Sequence, residues 1–253
     1  MKRKYEIAVL SKGGFARTVR IYAPKKADRA IIMHDGQNVF YDADASYKKS
    51  WRALDVLKSE NIKNTAIIGI DSVATRDYDY MPFPSELSAY GIPTTGGKAD
   101  AYMDYLNDIV IPYLDKRFGF KFYGMLGSSN GALATLYFAA KKHEKIKAYG
   151  LFSTPLFVSP AAFAKFFTEA SFNKNAYYKI YTGGNEGTTE NPELNKLEQQ
   201  MFVTDSYTLT DVLRKNGVID LDLTVTNTAT HDEIAWRAPE REFFKKFSLI
   251  PNS

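Results

Sequence analysis

Apolar and polar residues alternate along residues 5–10 (YEIAVL) and 17–23 (RTVRIYA), with Gly13 and Gly14 between them, a pattern that predicts an opening β-hairpin. The rhythm then changes. Short unbroken apolar runs at 30–34 (AIIMH), 66–70 (AIIGI), 122–126 (FYGML), 148–152 (AYGLF), 177–182 (YYKIYT) and 221–226 (LDLTVT) predict strands, most of them buried on both faces. Helical spacing fills the intervals. Residues 46–60 place Trp51, Leu54 and Leu57 along one side, and 101–118 keep the spacing of three and four through Pro112. Residues 206–217 end on a glycine cap, and 233–247 are amphipathic with a bend expected at Pro239. Strand alternating with helix predicts an α/β fold: a mostly parallel central sheet, helices on both faces, an N-terminal antiparallel hairpin, and one domain over 1–253. Residues 71–98 have no period and are rich in Pro, Gly and Tyr. Because they leave the carboxyl end of a central strand, where open α/β sheets keep their ligands, they are expected to line a substrate site.

Composition narrows the function classes. Hydrophobic residues make up 45% of the chain and charged residues 25%, the balance of an ordinary globular protein. No run approaches the roughly 18 apolar residues of a membrane span. The basic start, MKRKYEIAVLSKGG, lacks the apolar stretch of a signal peptide, so the sequence reads as cytoplasmic. A net charge of +4 from 33 basic and 29 acidic residues in mixed order offers no stripe for a nucleic acid. With no cysteine, disulfides, thiolate nucleophiles and cysteine metal sites drop out together.

The chemistry gathers at residues 125–140, MLGSSNGALATLYFAA. Ser129 has Gly127 two residues before it and Gly131 two after, the G-x-S-x-G pattern, between a predicted strand and an apolar helix. Such a turn holds a serine in a strained, exposed conformation at a helix N-terminus, whose free N–H groups suit a developing negative oxygen. A serine hydroxyl is a poor nucleophile unless a base takes its proton. Of the three histidines, His143 sits at the far end of the following helix, and His34 ends an early strand and is expected to shape the pocket. His231, after the strand 221–226 and before the last helix, stands where the order Ser, acid, His puts the base.

Glu186, in YYKIYTGGNEG, lies between the serine and that histidine and is the candidate orienting acid, with Asp205 and Glu190 as competitors. Glu233 reads as a charge at the start of the last helix. The backbone N–H of Asn130 is the expected first oxyanion donor; Gly36 in HDGQNVF should allow close backbone approach, making the N–H of Gln37 the second. Arg76, Tyr80 and Trp236 are further candidates for contact with substrate, with Tyr78, Phe83 and Tyr90 able either to stack or simply to pack. His34 and Asp35 lack the further ligands that a metal site needs.

The segments MHDGQNVF, GGKADAYMDYLNDIVIPYLDKRF, MLGSSNGALATLYFA, TGGNEG and HDEIAW, in this order, resemble the putative-esterase family of α/β hydrolases, which includes esterase D, enterochelin esterases and feruloyl or acetyl-xylan esterases. The resemblance implies the α/β-hydrolase fold. It puts Ser129 and His231 at the nucleophile and base positions and Glu186 where the family usually has its acid. Ala132 stands where many relatives have a second glycine, and the acid is Glu rather than the commoner Asp. The expected activity is cofactor-free hydrolysis of a small acyl ester: an acylated sugar, an aromatic-acid ester or a siderophore-type ester. The alternatives are acyl transfer on the same fold and a non-catalytic sugar or siderophore binder.

Overall fold

The computed structural model describes residues 3–90, 93–141 and 143–252. Its centre is an eight-stranded sheet in the order β1-β2-β4-β3-β5-β6-β7-β8. β1 (Glu6–Lys12) and β2 (Phe15–Tyr22) form the expected hairpin, and β2 also runs antiparallel to β4 (Thr65–Ile70). β3 (Arg29–His34), β4, β5 (Phe122–Ser128), β6 (Ile146–Phe152), β7 (Tyr177–Gly183) and β8 (Leu221–Thr226) are parallel.

Continuous apolar strands suit this sheet because successive side chains leave opposite faces and both faces are covered. On one face Ile32, Ile68, Met125 and Ile180 pack under α3 (Ala99–Tyr105), α4 (Ile111–Phe118), α5 (Asn130–Ala140), α6 (Pro160–Glu169) and α7 (Pro192–Lys215). On the other, Ile31, Met33, Ile67 and Leu126 meet α1 (Ala53–Ser59) and α8 (Glu233–Ser248) through Val56, Leu57, Trp236, Phe243, Phe244 and Phe247. The carboxyl ends of β3 to β8 therefore share one rim.

Several elements depart from the sequence expectation. The helix expected over 46–60 forms only at α1, because Asp42 holds the preceding residues in turns by accepting from the Ser50 N–H (3.0 Å) and hydroxyl (2.8 Å). Lys48 and Arg52 take positive φ there, which stops a helix from extending backwards. Pro112 is accommodated by a π-turn at Leu106–Val110 between α3 and α4, a wider turn that absorbs the missing N–H and the ring's clash with the preceding turn. α8 continues through Pro239, so the expected bend does not end it. α6 and the first half of α7 were not expected; each starts at a Ser-Pro or Asn-Pro pair, and Asn191 caps α7 by accepting from Glu193 and Leu194. The segment 71–98 contains a short helix, α2 (Arg76–Tyr80), and a bridge between Pro84 and Gly96.

Glu240 is the costly member of the core. It has no exposed surface, neither carboxyl oxygen has a hydrogen-bond partner among the described residues, and burial holds its pKa well above the usual carboxyl range. The folded protein keeps a proton that the unfolded chain releases, so the penalty is absent below the unfolded pKa and grows as pH rises through it. Glu240→Met is expected to raise the melting temperature by about 2 °C or more at pH ~8, and by less at pH ~4. Calorimetry at the two pH values checks this; an equal gain at both would rule out ionisation as the cause.

Candidate active site

β5 ends at Ser128 and α5 begins at Asn130, leaving Ser129 alone at the corner with φ 54° and ψ −132°. A non-glycine residue reaches that region only when its surroundings impose it. One constraint is the Ser129 N–H, which donates to the Phe152 carbonyl of β6 at 2.9 Å. Another is Gly127, where a Cβ would stand 2.1 Å from the Gly131 carbonyl oxygen, so no side chain fits. Gly131 is under milder pressure, its Cβ position being 3.3 Å from the His34 Cβ. Asn130 donates from Nδ2 to Asp77 at 2.9 Å, tying the corner to the 71–98 segment. Among the described residues the Asn130 N–H has no backbone acceptor, as expected of the first residue of a helix.

On the same rim, the loops after β7 and β8 lie against each other. A Cβ on Gly183 would meet the Ala229 carbonyl oxygen at 2.3 Å, and the Asn185 N–H donates to that oxygen at 3.0 Å. This close approach brings Glu186 from the β7 loop to His231 from the β8 loop, 3.2 Å from Oε2 to Nδ1. Glu186 has no exposed surface, and its Oε1 accepts from the Gly183 N–H and from the Ser153 hydroxyl, both at 2.6 Å. Phe202 and Trp236 flank the imidazole, each with a ring centroid 5.0 Å away.

Ser129 and His231 line one cavity of about 550 Å³ with Gln37, Asn38, Tyr47, Trp51, Arg76 and Trp236 among its other walls. No hydrogen bond joins the two side chains directly. Such contacts often form fully only once a substrate is in place. Gln37 sits in a short turn (Gly36–Asn38) and is held by its side chain, which donates to Ser72 at 2.8 Å and accepts from the Ser72 N–H at 3.1 Å. Its own N–H has no backbone acceptor among the described residues.

Other candidates stand behind the wall. Gly36 makes the close approach expected of it, but toward β4, where a Cβ would meet the Gly69 carbonyl carbon at 2.4 Å. His34 is buried, 2.8 Å from the Tyr102 hydroxyl through Nδ1, and burial pushes its pKa down to about 4, so it is neutral at neutral pH. Tyr80 is buried and accepts the Asp35 N–H at 3.1 Å. Arg76 does reach the cavity, but its guanidinium is paired with Asp35 through two bonds of 2.8 Å. Phe83 packs on Phe163 and Phe166 of α6. Tyr78 is partly exposed outside the cavity lining, and the Tyr90 side chain lies outside the described residues. Of the competing acids, Asp205 caps the turn after β6 by accepting from the Phe157 N–H at 2.8 Å, where burial pushes its pKa up to about 7. His143 packs on Phe138 at the far end of α5.

Sequence reasoning missed Ser153. It follows β6 with φ 51°, donates to Glu186 and accepts from Trp236 Nε1 at 2.9 Å, so one hydroxyl joins the acid to the aromatic wall. Nothing in FSTP signals this, since the partners are brought by other strands. Lys49 and Tyr47 entered the cavity unforeseen because the turns fixed by Asp42 replaced the expected helix. Ser153→Ala is expected to cost about 1–3 kcal/mol, since it removes a donor from a buried carboxylate and leaves the Trp236 N–H unpaired. An unchanged denaturation midpoint for that variant would contradict the bridging role.

The fold recurs in solved structures. The siderophore hydrolase EstA from Aspergillus nidulans superposes with a TM-score of 0.74 at 17% identity, covering 97% of this chain and 94% of its own. An IroE-like serine hydrolase from Shewanella oneidensis gives 0.71 at 16% identity, with 96% and 79% covered. The enterobactin esterase FES from Shigella flexneri gives 0.69 at 13% identity, with 98% of this chain but 61% of that longer one. At these identities the likeness establishes the α/β-hydrolase fold. A search of curated protein sequences finds no significant match. The family model described as Putative esterase matches residues 14–239, most of the chain, and the protein belongs to that family.

Proposed function

We propose that the protein is a serine ester hydrolase working through an acyl-enzyme. The observation that carries this reading is the strained Ser129 facing the same cavity as His231, whose Nδ1 is held by a fully buried carboxylate. With the Nδ1 proton donated to Glu186, Nε2 is left unprotonated to accept the Ser129 proton. Ser129 Oγ then attacks the ester carbonyl carbon while His231 takes the hydroxyl proton. The backbone N–H groups of Asn130 and Gln37 receive the oxyanion, helped by the N-terminal end of the α5 dipole. Collapse breaks the bond to the alcohol, which leaves with the proton from His231. Water, deprotonated by the same imidazole, attacks the acyl-enzyme, releases the carboxylic acid and restores Ser129.

The substrate is a small ester. A cavity of about 550 Å³ suits a small molecule rather than a folded partner. Tyr47, Trp51 and Trp236 give it aromatic walls among polar ones, a mixture suited to sugar or aromatic groups. The names of two neighbouring structures, a siderophore hydrolase and an enterobactin esterase, favour a siderophore-type ester as the first natural substrate to test. Paired with Asp35, Arg76 orders the 71–98 segment rather than offering a free cation to an anionic group.

Two substitutions test the mechanism on a chromogenic short-chain ester. Ser129→Ala should lower kcat by about a thousandfold or more with the melting temperature retained. Undiminished turnover would end the assignment. Glu186→Gln keeps the size of the side chain but cannot stabilise the imidazolium, and kcat should fall by about a hundredfold or more with KM little changed. Wild-type kcat in that variant would reduce Glu186 to a structural residue.

A further inference from the structure

Five side chains with formal charge line the cavity beside Ser129 and His231: Asp35, Lys49, Arg76, Asp232 and Glu233. Four of them form pairs. Arg76 binds Asp35 through two hydrogen bonds, and Lys49 donates to Asp232 at 2.9 Å while Asp232 also caps α8. Glu233 is the remainder. It is 6% exposed, and among the described residues it has no Lys, Arg or His partner within ion-pair distance.

The hydrogen bond from Asn38 fixes which chemistry it presents. Asn38 accepts the Ser46 N–H with Oδ1 at 2.9 Å, which leaves its amide nitrogen to donate to Glu233 Oε1 at 2.8 Å. The Asn38 amide therefore cannot turn over without losing both contacts, and Glu233 is held as an acceptor, its carboxylate also meeting its own backbone N–H. Burial first, and then the carboxylates of Asp35 and Asp232, push its pKa up from the ordinary value. A cation entering from the cavity would favour its charged form.

We propose that Glu233 determines specificity by accepting a hydrogen bond from an ammonium group carried by the ester substrate, so that the cavity prefers amine-bearing esters over uncharged ones of the same shape. This rests on the ester-hydrolase reading and names the substrate class for that same cavity. An ammonium brings the carboxylate both a countercharge and a donor, whereas a hydroxyl brings only the donor and a methyl group neither.

The test uses matched esters: pentyl acetate and methyl hexanoate, each with its terminal hydroxy and terminal amino derivative, assayed by pH-stat at neutral pH. In at least one series the amino ester should exceed the alkyl ester in kcat/KM by about tenfold or more, with the hydroxy ester between them and the difference lying in KM. In Glu233→Gln, which keeps an acceptor for Asn38, the amino ester should fall to the level of the hydroxy ester. Rescue by Glu233→Asp is a second expected result, since the charge returns one methylene back. Equal kcat/KM across both wild-type series, or an ammonium preference that survives Glu233→Gln, overturns the proposal while leaving ester hydrolysis standing. If wild-type protein hydrolyses none of the six, the hydrolase reading falls and takes this proposal with it.

Discussion

A carboxylate with no exposed surface is the constraint on which the rest of the site depends. Glu186 is sealed beneath the rim of the sheet, and a buried carboxylate is tolerable only where its oxygens are satisfied. Its partners come from three strands: the Gly183 N–H at the end of β7, the Ser153 hydroxyl after β6, and the His231 ring after β8. If any of those loops moves, the carboxylate loses a donor. The same network therefore sets the orientation of His231 and ties it through Ser153 to Trp236 and the aromatic side of α8.

Another part of the cavity lining is built by pairing charges. Asp35 takes a positive φ at the end of β3 and locks Arg76 of α2, while Asn130 beside Ser129 binds Asp77 of the same helix. The 71–98 segment is thus fastened at two points, to the end of β3 and to the serine corner. Partly buried pairs of this kind give position more reliably than stability, because desolvation offsets much of their attraction. What they supply here is a fixed polar part of the cavity lining.

Local rules carried the reading of the sheet and of the serine corner. Apolar runs of five or six residues marked the central strands because both faces of the sheet are covered, and glycines two residues either side of Ser129 marked a corner too tight for a Cβ at 127. His231 and Glu186 followed from chain order after late strands. The misses have physical reasons. The turns at 46–52 depend on Asp42, whose partners lie eight and ten residues away, and helical spacing at Trp51, Leu54 and Leu57 gave no hint of them. Gly36 carried the right signal, a close backbone approach, but its neighbour is Gly69 of an adjacent strand, and one sequence does not say which neighbour a glycine serves. Ser153 and Asn38 were invisible because their roles exist only between elements distant in the chain. The Asn-Pro start of α7 is a legible signal, one that helical spacing over 206–217 does not carry.

The central claim is that Ser129 is made nucleophilic by His231 across this cavity, and covalent labelling tests it most directly. After treatment of the folded protein with a fluorophosphonate, mass spectrometry of the digested chain should find one phosphonyl adduct, on Ser129, formed much more slowly in His231→Ala. An adduct on another residue, none at all, or the same labelling rate without the imidazole would contradict the account.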